Sequence, residues 1–140
     1  MIILFRIATF LKSMAEHSDS DKNYDILLLS QDVSDINVKN VKKMLSAWKN
    51  ISLRVLDPSV LIDQYTFHIE GHFSKETYYR LVLPELLPNY DKVLYLDSDM
   101  IAMDDVAKIY DENIDGYLLA ACHDADTAGL YNGYRKDKKE

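Results

Sequence analysis

The strongest constraint on this chain is an alternation of short apolar runs with segments of helical period. Tyr24–Leu29 is apolar apart from Asp25, and Ser30-Gln31-Asp32 closes it. Such a run predicts a strand buried on both faces, as in a parallel sheet. Ile51–Leu56 predicts a second strand, ended by Asp57-Pro58, and residues 92–96 a third with Asp97 at its carboxyl end. Residues 117–122 predict a fourth, followed by His123-Asp124.

Between and before the strands the period changes. Ile3, Ile7, Phe10, Leu11 and Met14 make one apolar helical face, and His17 to Asp21 reads as a polar loop. Val38, Val41, Leu45 and Trp48 share a face of a second helix, begun by Ser34 or Asp35, with Lys39, Lys42, Lys43 and Lys49 on its solvated side. Residues 59–73 read as irregular, with at most a short helical turn. Ser74 is expected to cap a third helix with Glu76 in its first turn and Tyr78, Leu81, Val82 and Leu86 inward; Pro84 should bend or shorten it. Residues 106–110 predict a short helix, and the tail with Arg135, Lys136, Lys138 and Lys139 a frayed end. The sum is an α/β fold with a mostly parallel sheet and helices on both faces. Ligands in such sheets bind beyond the carboxyl ends of the strands. Ser30-Gln31-Asp32, Asp57, Asp97-Ser98-Asp99 and His123-Asp124 are therefore the residues to watch.

Size and charge narrow the function. The 140 residues suit one domain, and a net charge of -7 disfavours a nucleic-acid or anionic-membrane surface. The lone cysteine, Cys122, forms no disulfide within the chain and no zinc site unaided; a small buried core residue is expected. Residues 1–5 are apolar, but Arg6 and Lys12 interrupt them, and no targeting segment or transmembrane helix is expected.

Asp97 and Asp99 carry the chemistry. Two carboxylates two residues apart, directly after a buried strand, repel each other. A shared proton or a divalent cation with hard oxygen ligands relieves the repulsion. As a clamp for Mg²⁺ or Mn²⁺, the pair leaves positions open for phosphate oxygens and water, and the ion neutralises charge on a leaving diphosphate.

The run Thr77-Tyr78-Tyr79-Arg80-Leu81-Val82-Leu83-Pro84-Glu85-Leu86-Leu87-Pro88-Asn89-Tyr90-Asp91-Lys92-Val93-Leu94-Tyr95-Leu96-Asp97-Ser98-Asp99 resembles glycosyltransferase family 8, which includes glycogenin and the bacterial lipopolysaccharide galactosyl- and glucosyltransferases. The segments 118–124 and 24–29 look like the family's neighbouring strands. The resemblance implies a GT-A (Rossmann-like) fold and hexose transfer from UDP-glucose or UDP-galactose to a saccharide or lipid-linked acceptor. It implies retention of anomeric configuration, with Mn²⁺ or Mg²⁺ as cofactor and a role in lipopolysaccharide, capsule or other surface-glycan synthesis. By match to the motif, Asp97 and Asp99 would ligate the metal; Arg80, Asp97 and Ser98 would contact the nucleotide sugar; Asp124 would stand as the catalytic acid near the donor sugar. His123 matches no family role. The expected location is cytoplasmic, peripheral to the inner membrane for the full-length protein.

The match is to part of a domain. The family's first nucleotide-binding strand, its late His-x-x-Gly-x-x-Lys-Pro segment and its acceptor half have no counterpart here. Residues 1–140 are therefore expected to form one incomplete GT-A domain with little transferase activity alone, and an open sheet edge that a homo-oligomer would cover. Two alternatives are a non-catalytic metal- or nucleotide-binding fragment and a haloacid-dehalogenase-like phosphatase, which also uses Asp-x-Asp after a strand. The phosphatase pattern favours Thr or Val where Ile101 stands.

Overall fold

The structure is a computed structural model and describes residues 2–67 and 75–122. Its order is α1 (Ile2–Glu16), β1 (Tyr24–Leu29), α2 (Asp35–Leu45), β2 (Ile51–Leu56), α3 (Ser59–Ile62), a 3₁₀ helix (Lys75–Leu81), α4 (Leu83–Leu86) and α5 (Ala107–Tyr110).

β1 and β2 pair in parallel, Tyr24 opposite Ile51 through Leu29 opposite Leu56. The crossover between them carries α2, as a parallel pair requires. Ser34 begins α2 in extended geometry, but its side chain makes no capping bond; its carbonyl accepts from the Asn37 and Val38 amides instead. Phe10, Leu11, Met14 and Ala15 of α1 and Val41 and Leu45 of α2 form the main core with Leu53; Ile26, Leu28 and Ile51 pack against it. The inward face expected for α1 is thereby seen from Ile7 onward; the side chain of Ile3 lies outside the described ones. Lys39, Lys42, Lys43 and Lys49 are exposed, as the helical period predicts.

Leu29, of the opposite strand parity, packs on a second cluster of Ile62, Tyr79 and Val82, drawn from α3 and the segment around the 3₁₀ helix. Helical segments therefore pack toward both faces of the sheet. β1 is half-buried rather than buried on both faces. Its exposed Asp25 is bound by Arg54 and Ser52 of β2 and by the Tyr90 hydroxyl.

Three expectations change. The helix predicted from Ser74 is split into 3₁₀ and α pieces at Val82, and Pro84 sits in the first turn of α4, where its missing N–H costs nothing. Tyr79 and Val82 are buried there, whereas Leu81 is exposed; Ser74 itself lies outside the described residues. Residues 92–96 and 117–122 form no strand. A strand is defined by its ladder, and among the described residues β1 and β2 have no third partner. Tyr117, Leu118 and Leu119 are exposed, and so is Cys122, which the sequence predicts to be buried. Among the described residues no helix is long and apolar enough to cross a membrane.

Candidate functional site

Residues 92–97 are held in place without a ladder. Leu96 packs against the main core. The Lys92 carbonyl accepts from the Tyr110 hydroxyl at 3.2 Å, while the Lys92 ammonium donates to the Glu112 carbonyl and lies 4.7 Å from the centre of the Tyr110 ring. At the near end, Tyr90 is fastened to Asp25 and Arg54 on the sheet. Beyond the turn, the Ala102 amide donates to the buried Ser13 hydroxyl at 2.9 Å. That hydroxyl in turn donates to the Phe10 carbonyl at 2.8 Å. Side chains of α1, the sheet and α5 thus do what strand pairing would otherwise do.

Asp97, Ser98 and Asp99 form an exposed turn at the end of this segment, with Ser98 half-buried. Arg80 reaches it from the 3₁₀ helix. Its Nε donates to the Thr77 carbonyl at 3.1 Å and its Nη2 to Asp97 Oδ1 at 3.3 Å. The guanidinium also lies 4.6 Å from the centre of the Tyr95 ring, a cation–π arrangement. Burial pushes the Tyr95 hydroxyl above its ordinary pKa, so the ring is a neutral platform at physiological pH. Arg80 and Leu81 line an open cleft with Thr77 and Tyr78. The structure therefore brings Arg80 to Asp97, and Ser98 and Asp99 follow in the same turn. Asp124 and His123 lie outside the described residues.

Arg6 is the member the sequence reading missed. Its Nη1 stands 3.8 Å from Asp99 Oδ2. A signal was available: Arg6 precedes Phe10 and Ser13 by four and seven positions on α1, which places a cation on the stripe that faces the core. Asp57, another strand-end acid, has a structural duty. Its Oδ1 accepts from the Ser59 amide at 2.8 Å at the start of α3, and bonds to Ser59 hold its pKa below the ordinary carboxylate range.

Among the described residues no three His, Cys, Asp or Glu gather as a metal cage. Two carboxylates on an exposed turn fit a different kind of site. Mg²⁺ or Mn²⁺ commonly takes one or two protein carboxylates and completes its shell with water and substrate phosphate.

Residues 4–140 match the family described as Glycosyl transferase family 8. The chain belongs to that family. A relative in Xenopus laevis, "Glycosyltransferase 8 domain-containing protein 1", is 31% identical over 106 residues, 66% of this chain and 28% of the relative. "General stress protein A" of Bacillus subtilis (strain 168) is 23% identical over 116 residues, 81% of this chain and 40% of that protein. A solved structure, "WbbM bifunctional glycosytransferase apo structure", superposes with a TM-score of 0.68 at 34% identity, over 79% of this chain and 19% of that one. The α/β arrangement here is accordingly an incomplete GT-A-like fold, and the chain spans less than half the length of each of these proteins.

Proposed function

We propose that residues 1–140 are part of a GT-A catalytic domain that carries the donor site of a metal-dependent hexosyltransferase. In this reading a hexose passes from UDP-glucose or UDP-galactose to a saccharide acceptor with retention of configuration, in the synthesis of a surface glycan. Membership in family 8 favours transfer over the phosphatase alternative. The observation that carries the reading is the contact of Arg80, which lines an open cleft, with Asp97 on the exposed turn that also holds Asp99.

Asp97 and Asp99 would hold Mn²⁺ or Mg²⁺, which supplies the positive charge that a departing nucleoside diphosphate needs. Arg80, whose guanidinium contacts the Thr77 carbonyl and the Tyr95 ring, would pair with phosphate or sugar oxygens. Ser98 has a hydroxyl in the same turn for the nucleotide. Asp124 is proposed as the acid near the donor sugar. Isothermal titration of UDP into the chain, with and without Mn²⁺, tests the donor site. Binding that requires the ion supports it; metal-independent binding, or none under either condition, contradicts it.

A further inference from the structure

Both acids of the turn already face a cation from the chain itself. Arg80 serves Asp97 at 3.3 Å, and Arg6, from the second turn of α1, serves Asp99 at 3.8 Å. Two guanidinium charges against two carboxylates leave the turn neutral before any ion arrives. Arg80 is held by a carbonyl and a ring, whereas Arg6 extends from a helix whose neighbouring stripe residues, Phe10 and Ser13, are buried.

We propose that Arg6 is a second diphosphate-binding arginine of this site and the internal counter-ion of Asp99, an inference that rests on the donor-site reading above. A guanidinium does not lose its proton in a protein, so a divalent cation that binds Asp99 meets the Arg6 charge 3.8 Å from Oδ2 and repels it from the carboxylate. The displacement costs little. Both partners are more than half exposed, and exposed pairs shift an equilibrium by no more than about fivefold. Once displaced, Arg6 is repelled by the ion and attracted to the phosphate oxygens that accompany it, and its planar fork matches them. Arg6 thereby weakens binding of the bare ion and strengthens binding of the nucleoside diphosphate with its ion.

The test is a Mn²⁺ titration followed by electron paramagnetic resonance, paired with calorimetric titration of UDP at saturating Mn²⁺. It compares the wild-type chain, Arg6→Gln, Arg6→Lys and the double variant Asp97→Asn/Asp99→Asn. Arg6→Gln is expected to bind Mn²⁺ alone about two- to fivefold more tightly, the size of one exposed ion pair. It should bind UDP with Mn²⁺ about tenfold more weakly, the loss of a charge-assisted phosphate contact. Arg6→Lys keeps the charge without the fork. It should return Mn²⁺ affinity to the wild-type value and recover UDP affinity only in part, which separates the effect from any loss of folding. If Arg6→Gln leaves either affinity unchanged or weakens Mn²⁺ binding, while the double Asn variant abolishes Mn²⁺ binding, the role of Arg6 is refuted and the carboxylate site stands. If the double Asn variant binds Mn²⁺ as the wild type does, both readings fall.

Discussion

Ser13→Ala probes how the candidate site is tethered to the core. The Ser13 side chain is buried, and its oxygen is the acceptor for the Ala102 amide, itself in a buried residue. Removing the oxygen strands that amide away from water, at a cost of about 1–3 kcal/mol. Alanine returns about 0.5 kcal/mol of helix propensity to α1, because serine competes for backbone bonds within a helix. The hydroxyl's own bond to Phe10 joins residues three apart and is local. The net expectation is a loss of about 0.5–2.5 kcal/mol, read from urea unfolding at constant m-value. A local readout accompanies it: the Ala102 amide should be protected from hydrogen exchange in the wild type and lose about two- to seventyfold of that protection in the variant, the same range expressed as a ratio. A variant as stable as the wild type, or an Ala102 amide that exchanges freely in the native wild-type chain, would refute the claim that α1 fastens the turn.

Three further outcomes follow from the same packing. Ile62 is fully buried in the second cluster, so Ile62→Ala should cost about 2–5 kcal/mol in urea unfolding, at the upper end if the cluster cannot collapse. The Arg54 guanidinium, helped by Ser52 and Tyr90, holds Asp25 below its ordinary carboxylate pKa of 3.8. The unfolded chain therefore binds that proton more readily. The stabilisation is complete above about pH 4 and fades as pH falls through the native pKa, so Asp25→Asn should flatten the acid limb of stability by less than about 1 kcal/mol, the pair being partly exposed. The exposed Cys122 should react with a disulfide reagent in the native chain as fast as in denaturant; a protected thiol would restore the buried role that the sequence suggested.

What could be read in the sequence was what local period and direct burial determine. α1, β1, α2 and β2 follow from the apolar stripe Phe10, Leu11 and Met14, the run around Ile26 and Leu28, and the face Val41 and Leu45. What could not be read depended on partners. Residues 92–96 have the composition of a strand, yet a ladder needs a neighbour, and among the described residues the sheet has two strands. The strand expected at residues 117–122 fails for the same reason, and Tyr117, Leu118 and Leu119 are exposed. Pro84 was a visible break, but whether it bends a helix or begins a new one depends on how Val82 packs on Ile62 and Tyr79. At the candidate site, Asp97 and Asp99 stand out in the sequence as neighbouring acids after an apolar run, and Arg80 enters through the family resemblance; its contact with Asp97 spans 17 residues. Arg6, Ser13 and the group of Asp25, Arg54 and Tyr90 do not stand out, because each acts across a long sequence separation through a single side chain.

The central claim is that Asp97 and Asp99 hold a divalent ion that binds a nucleoside diphosphate. Its most direct test is calorimetric titration of UDP at saturating Mn²⁺ into the wild-type chain and into Asp97→Asn/Asp99→Asn, with far-ultraviolet circular dichroism confirming that both are folded. The predicted result is Mn²⁺-dependent binding to the wild type and a loss of at least about a hundredfold in the double variant, as when a metal's protein ligands are removed. Equal affinity of the two folded proteins for UDP would contradict it.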